Sequence, residues 1–205
     1  METWDMIKAD REVVADYLAA LPEDAWAAPT LCEAWTVKDV ANHMLVTPTM
    51  SKGKVFVAFA GSGFNLDKFS QKQVDRMASM APAEIIDMTR STAGSQNMPP
   101  GLKPLGVLTE VLVHGADIAA PRGDTLAVPA DHYVAALDHL KGQKAVFHTP
   151  ARIEGLRLEA TDATWSTGDG ALVQGPSHAL LLAMAGRDQA YDALEGDGVA
   201  TMRAR

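Results

Sequence analysis

The chain has a single cysteine, Cys32, among 205 residues. An internal disulfide and a metal site built from cysteines alone are therefore excluded, and a reducing, cytoplasmic setting is expected. Cationic residues are outnumbered, with 18 Lys and Arg against 26 Asp and Glu, and the formal charge is −8. No run of Lys or Arg overrides that balance, so neither a nucleic-acid surface nor an anionic membrane surface is expected. Aromatic residues make up only 6% of the chain, too few to indicate a flat aromatic ligand. No stretch approaches the roughly 18 apolar residues of a membrane span. The first residues, METWDMIKADREVVADYL, are charged from the start and have no signal-peptide core.

What remains is an ordinary globular composition, 47% hydrophobic and 21% charged, with enough apolar residues for a sizeable core. Up to about residue 145 the apolar spacing is mostly helical. Helices are expected over Asp5–Leu21, from the N-cap Thr36 to Pro48, and over Lys52–Phe59. More follow over Asp67–Met80, Pro82–Ala93, Leu105–Ala120 and Asp131–Lys141. Beyond that the period changes. Leu156, Leu158 and Ala160 alternate with Arg157, Glu159 and Thr161, which predicts a strand. The glycines of STGDGALV predict a hairpin from Trp165 to Gln174. GPSHALLLAMAGRDQAYDAL reads as one helix, and the tail as a turn with a short last strand. The expected organisation is mainly α: a helical bundle over residues 1–145 and a small α/β unit over 146–205.

One helix carries an unusual polar stripe. In TEVLVHGADIAAPRG, Glu110 and His114 are four residues apart and so lie one turn apart on one face, with Asp117 a further turn along. A Glu/His pair at this spacing aims two side chains at one point, as metal sites in helical bundles do. A third ligand from a second helix would complete a site with an open position. His43, beside the apolar positions Val40, Met44 and Val46, is the best candidate. A solvated helix pair is the competing reading of Glu110 and His114. Asp117 and Asp39 are candidate outer acceptors for the two imidazoles, with helix capping or solvated charge as the alternative. His132 and His139 share a helix with acids and are expected on its solvated face.

Two blocks, PTLCEAWTVKDVANHM and EVLVHGADIAAPRG, resemble the signature of the mycothiol-dependent maleylpyruvate isomerase family, part of the DinB-like helical superfamily. The tail from Asp162 resembles the small C-terminal α/β domain of many actinobacterial members. The resemblance implies a DinB-like four-helix bundle holding a divalent metal, usually zinc, on residues that fall here at His43, Glu110 and His114. It further implies mycothiol as thiol co-substrate, and a thiolate that attacks a small electrophile in an S-transfer or isomerisation. A metal-dependent hydrolase on the same bundle is the alternative, as is a non-catalytic binding or regulatory module that keeps the fold. The expected partner is a small molecule, with no nucleic acid and no membrane, and the chain is expected as a monomer or homodimer. Cys32 is expected as a small packed thiol, and Trp35 as packing before the second helix or as a wall of the pocket.

Overall fold

The computed structural model describes residues 1–144 and 146–205. They divide into two compact units, Met1–Ala127 and Val128–Arg205. The expected domain boundary touches Ala145, which lies outside the described residues. Helix Ala130–Leu140, expected in the bundle, belongs to the second unit. No helix among the described residues is long and apolar enough to cross a membrane.

In the first unit, α1 (Thr3–Ala20), α2 (Val37–Thr49), α5 (Pro82–Ser91) and α6 (Pro104–Ala119) form a four-helix bundle. Each of α1 and α2 packs against both α5 and α6. The connection from α2 to α5 carries α3 (Lys52–Ala60) and α4 (Leu66–Met77). Core residues sit where the helical period puts them: Ile7, Val14 and Leu18 on α1, Val40 and Leu45 on α2, Ile85 on α5, and Leu108 and Leu112 on α6. α6 is buried almost all round, Glu110 and His114 being the interior positions that keep some exposure. At Gly115 a Cβ would lie 2.7 Å from Leu126 and 3.0 Å from Val14. The bare backbone there is what lets α1 come close to α6.

The start of α2 fixes His43. Thr36 Oγ1 accepts from the Asp39 N–H, while the Asp39 carboxylate accepts from the Thr36 N–H at 2.9 Å and its hydroxyl at 2.6 Å. This is a capping box closed by the shorter acid. Its carboxylate is committed to the cap, so Asp39 is not an acceptor for His43, contrary to the outer-acceptor expectation. Thr36→Ala should lower stability by about 1 kcal/mol. Chemical denaturation would read this as a lower midpoint with an unchanged slope.

The second unit holds α7 (Ala130–Leu140), a short α8 (Thr149–Ile153), three strands and two further helices, α9 (Ser177–Met184) and α10 (Val199–Arg203). α7 packs on α9, which also covers β1 (Leu156–Ala160) and β3 (Ala171–Gly175). His132 is 1% exposed, so the expectation of a solvated position fails for it. β1 is central: β2 (Ser166–Thr167) pairs with it antiparallel and β3 pairs with it parallel, from Leu156↔Ala171 to Ala160↔Gly175.

Three expectations fail here, each at a glycine or in the tail. The hairpin over Trp165–Gln174 does not form, because β2 and β3 lie on opposite edges of β1. The chain between them passes through Gly168 and Gly170 at φ 76° and 132°, a conformation other residues rarely adopt. The helix after Pro176 stops at Met184. Gly186, at φ 85°, donates to the Ala183 carbonyl and Arg187 to that of Leu182, which is a Schellman stop. The tail contributes one bridge, Glu195 to Gln174, and then turns into α10 instead of a strand.

Candidate metal centre

α2 and α6 face each other in the bundle and bring the three expected residues together. The His43 and His114 rings meet edge to face with centroids 4.9 Å apart. His43 Nε2 lies 3.9 Å from Glu110 Oε1. All three side chains keep a little exposure, 14% for His43, 21% for Glu110 and 16% for His114, so the cluster is reachable from solvent.

Two of the three, Glu110 and His114, are held by further side chains. Thr47, one turn after His43, donates its hydroxyl to both Glu110 oxygens at 3.0 and 3.1 Å. Asp117, fully buried, lies 3.1 Å from His114 Nδ1. It also accepts the Cys32 thiol proton at 3.1 Å, and the same sulfur lies 3.6 Å from His114 Nδ1. Asp117 thus stands where a histidine ligand commonly has a carboxylate partner. The loop before α2 brings Cys32 to His114 and Trp35 to His43. Trp35 stands over His43 with ring centroids 4.9 Å apart.

The electrostatics follow from burial and these partners. Burial, reinforced by His114, lowers the His43 pKa to about 3, against an opposing pull from Asp117. His43 is therefore a neutral imidazole, and its buried Nδ1 has no hydrogen-bond partner. Burial also raises the Glu110 pKa, opposed by His114, Thr47 and the Arg11 guanidinium. For His114 burial acts downward, but the hydrogen bonds to Asp117 and Cys32 outweigh it and raise the pKa to about 10.

The ligand atoms of His43, Glu110 and His114 do not all lie within 4.8 Å of one another, and the approach that bears on a cation is that of His43 to Glu110. The 3.9 Å gap between His43 and Glu110 is too long for a hydrogen bond. It is close to the roughly 3.4 Å that separates two ligand atoms of a tetrahedral site with bonds of about 2.1 Å. His43 offers a neutral imidazole, while Glu110 already has the positive charges of His114 and Arg11 near it. A second set shares the same histidine: Cys32, His114 and Asp117 offer ligand atoms within 4.8 Å of one another. Sequence reasoning gave Cys32 only a packing role and left Thr47 out. The signal for Thr47 was its place four residues after His43, on the same helix face. Cys32 offered none, because its partners lie 82 and 85 residues away.

Residues 7–97 match the family model of the mycothiol maleylpyruvate isomerase N-terminal domain. The matched segment is less than half of the chain. It contains His43 and Cys32 and ends before α6, so Glu110 and His114 lie beyond it. Among solved structures, the chain is similar to a mycothiol-dependent maleylpyruvate isomerase at 13% identity and a TM-score of 0.63. A histidine-to-alanine mutant of that isomerase gives 12% and 0.62. Both alignments cover 95% of this chain and 91% of the other. The likeness extends the fold through the second unit, beyond the family segment. Comparison with curated protein sequences gives no match.

Proposed function

We propose that the chain is a metal-dependent enzyme that joins a small thiol, mycothiol by family, to a small electrophile in an S-transfer or isomerisation. His43, Glu110 and His114 would hold the ion, and their mixed nitrogen and oxygen donors suit zinc. The observation that carries this reading is the gap of 3.9 Å between His43 and Glu110, too wide for a hydrogen bond and bordered by partly exposed donors. The family model matched by the N-terminal segment and the solved isomerase support the thiol. When bound, the ion would supply the positive charge that makes a coordinated thiol a thiolate at neutral pH.

The chain's own residues then have distinct tasks. Thr47 fixes the Glu110 carboxylate, and Asp117 fixes the ring orientation of His114 through Nδ1. Cys32 donates to Asp117 and lies 3.6 Å from His114 Nδ1, and in this reading the nucleophile is the incoming thiol and not Cys32. The partial exposure of all three ligands leaves a side open for the incoming thiol and electrophile.

The direct test incubates zinc-loaded protein with mycothiol and a generic electrophile and follows thiol loss. Zinc-dependent consumption above the uncatalysed rate is expected. A protein that holds zinc yet consumes no thiol would overturn the thiol chemistry and favour activation of water on the same ligands. The Cys32, His114 and Asp117 set is the second reading of where the ion sits, carried by its compactness. Cys32→Ser removes that site and should leave zinc stoichiometry intact if the first reading holds.

A further inference from the structure

Trp35 is the residue around the cluster that no step above uses, and its surroundings are built to hold it. Its indole is tilted 47° to the His43 ring at 4.9 Å, so Trp35, His43 and His114 form a row of three rings. The indole N–H donates to Gln71 Oε1 at 2.9 Å, and the Gln71 amide donates to Asp75 Oδ1 at 2.8 Å. Both acceptors lie on α4. That helix is tied to α2 by Lys38 donating to the Ala78 carbonyl and Asn42 to that of Met77. The position of the indole is thus set relative to the helix that carries His43.

The backbone is fixed with equal care. Thr30 Oγ1 donates toward the Cys32 and Trp35 carbonyls and accepts from the Cys32 N–H. Ala34 sits at φ 65°, a left-handed conformation that a non-glycine residue holds only when its surroundings impose it. A tryptophan needed only to fill space between helices would not need an exposed hydrogen-bonded latch. The latch bonds lie at the surface, where water competes for them and each adds little net stability.

We propose that Trp35, latched by Gln71, is the positioning residue that covers the His43 edge of the site and limits the size of the electrophile admitted there. The size limit rests on the function proposed above; the cover over His43 does not. Opening the latch exposes His43, and removing the indole widens the entrance without removing a ligand.

The test has an arm that needs neither metal nor turnover. Metal-free protein is treated with diethyl pyrocarbonate, and modification of His43 is read by peptide mass spectrometry against exposed His148 as internal reference. The His43 to His148 ratio should rise severalfold in Trp35→Ala and rise in the same direction in Gln71→Ala. In Trp35→Phe, which keeps a ring but has no N–H for Gln71, it should rise as in Gln71→Ala and less than in Trp35→Ala. Equal ratios in the parent, W35A and Q71A overturn the cover, and Q71A decides if W35A does not fold. In the second arm, zinc-loaded protein and mycothiol are given iodoacetamide or the bulkier monobromobimane. W35A should shift kcat/KM toward the bulkier reagent, and an unchanged ratio overturns the size limit. Loss of thiol chemistry in the parent would overturn the proposed function, while the first arm still decides the cover.

Discussion

His43→Ala should leave the protein folded and without stoichiometric zinc. Alanine is the best helix former, so α2 keeps its backbone. The Thr47 hydroxyl still holds Glu110, and the capping box at Thr36 is untouched. What disappears is a neutral nitrogen donor opposite Glu110, which leaves two protein ligands where a stable zinc site needs three or four. Losing a direct ligand should weaken binding by well over the roughly 10- to 100-fold typical of losing an outer partner. Metal analysis after gel filtration gives the stoichiometry, with exposed His148→Ala as the control that keeps it. Added imidazole should restore part of the binding by filling the space left by the ring. A variant that keeps one zinc per chain, while Cys32→Ser loses it, would move the ion to the Cys32, His114 and Asp117 side.

Much of the bundle could be read from local patterns, because its determinants are local. The Thr36 cap, the apolar period of α1 and the apolar positions of α6 each act within a few residues of sequence. The pairing of Glu110 and His114 could be read for the same reason, since helical geometry alone sets their spacing. His43 was different: its place beside an apolar stripe made it the best candidate and the family resemblance agreed, but only tertiary packing brings α2 to α6. Asp39 shows the limit of a position-based argument. One turn before His43, it could have faced the imidazole, but two donors on Thr36 hold its carboxylate more closely.

The second unit was less legible because its topology is set by glycines whose meaning depends on what they approach. Gly168 and Gly170 suggest a hairpin in sequence. In the fold they carry the chain from one edge of β1 to the other. Gly186 was read as a helical residue and is a Schellman stop, since its left-handed φ appears only when the chain beyond it turns back. Around the candidate metal centre the same rule holds. The contacts missed, Thr47 to Glu110 and Cys32 to Asp117, join elements that sequence alone does not place side by side.

Asp117→Asn should weaken zinc binding by about 10- to 100-fold, about 1.4 to 2.7 kcal/mol, without removing any ligand. Asp117 is fully buried, and its charge faces two donors, His114 Nδ1 and the Cys32 thiol. Asparagine preserves the shape and one accepting oxygen but removes the charge that makes His114 a strong donor to a metal. The same charge also strengthens the hold of His114 on a proton, so the two effects oppose each other. With its pKa raised to about 10, the parent's His114 is protonated at neutral pH, and an incoming ion must displace that proton. In the variant the raising influence of Asp117 is reduced and burial, which acts downward, gains weight, so the ion meets less proton competition. The difference between parent and variant should therefore widen as pH rises from about 6 to about 8, where proton competition falls faster in the parent. Competitive titration against a chromophoric zinc chelator across that range measures it. Cys32→Ser, which keeps a hydroxyl donor toward Asp117, should show a much smaller loss. Equal affinity in parent and D117N at every pH would mean that Asp117 serves the packing of α6 and not the centre.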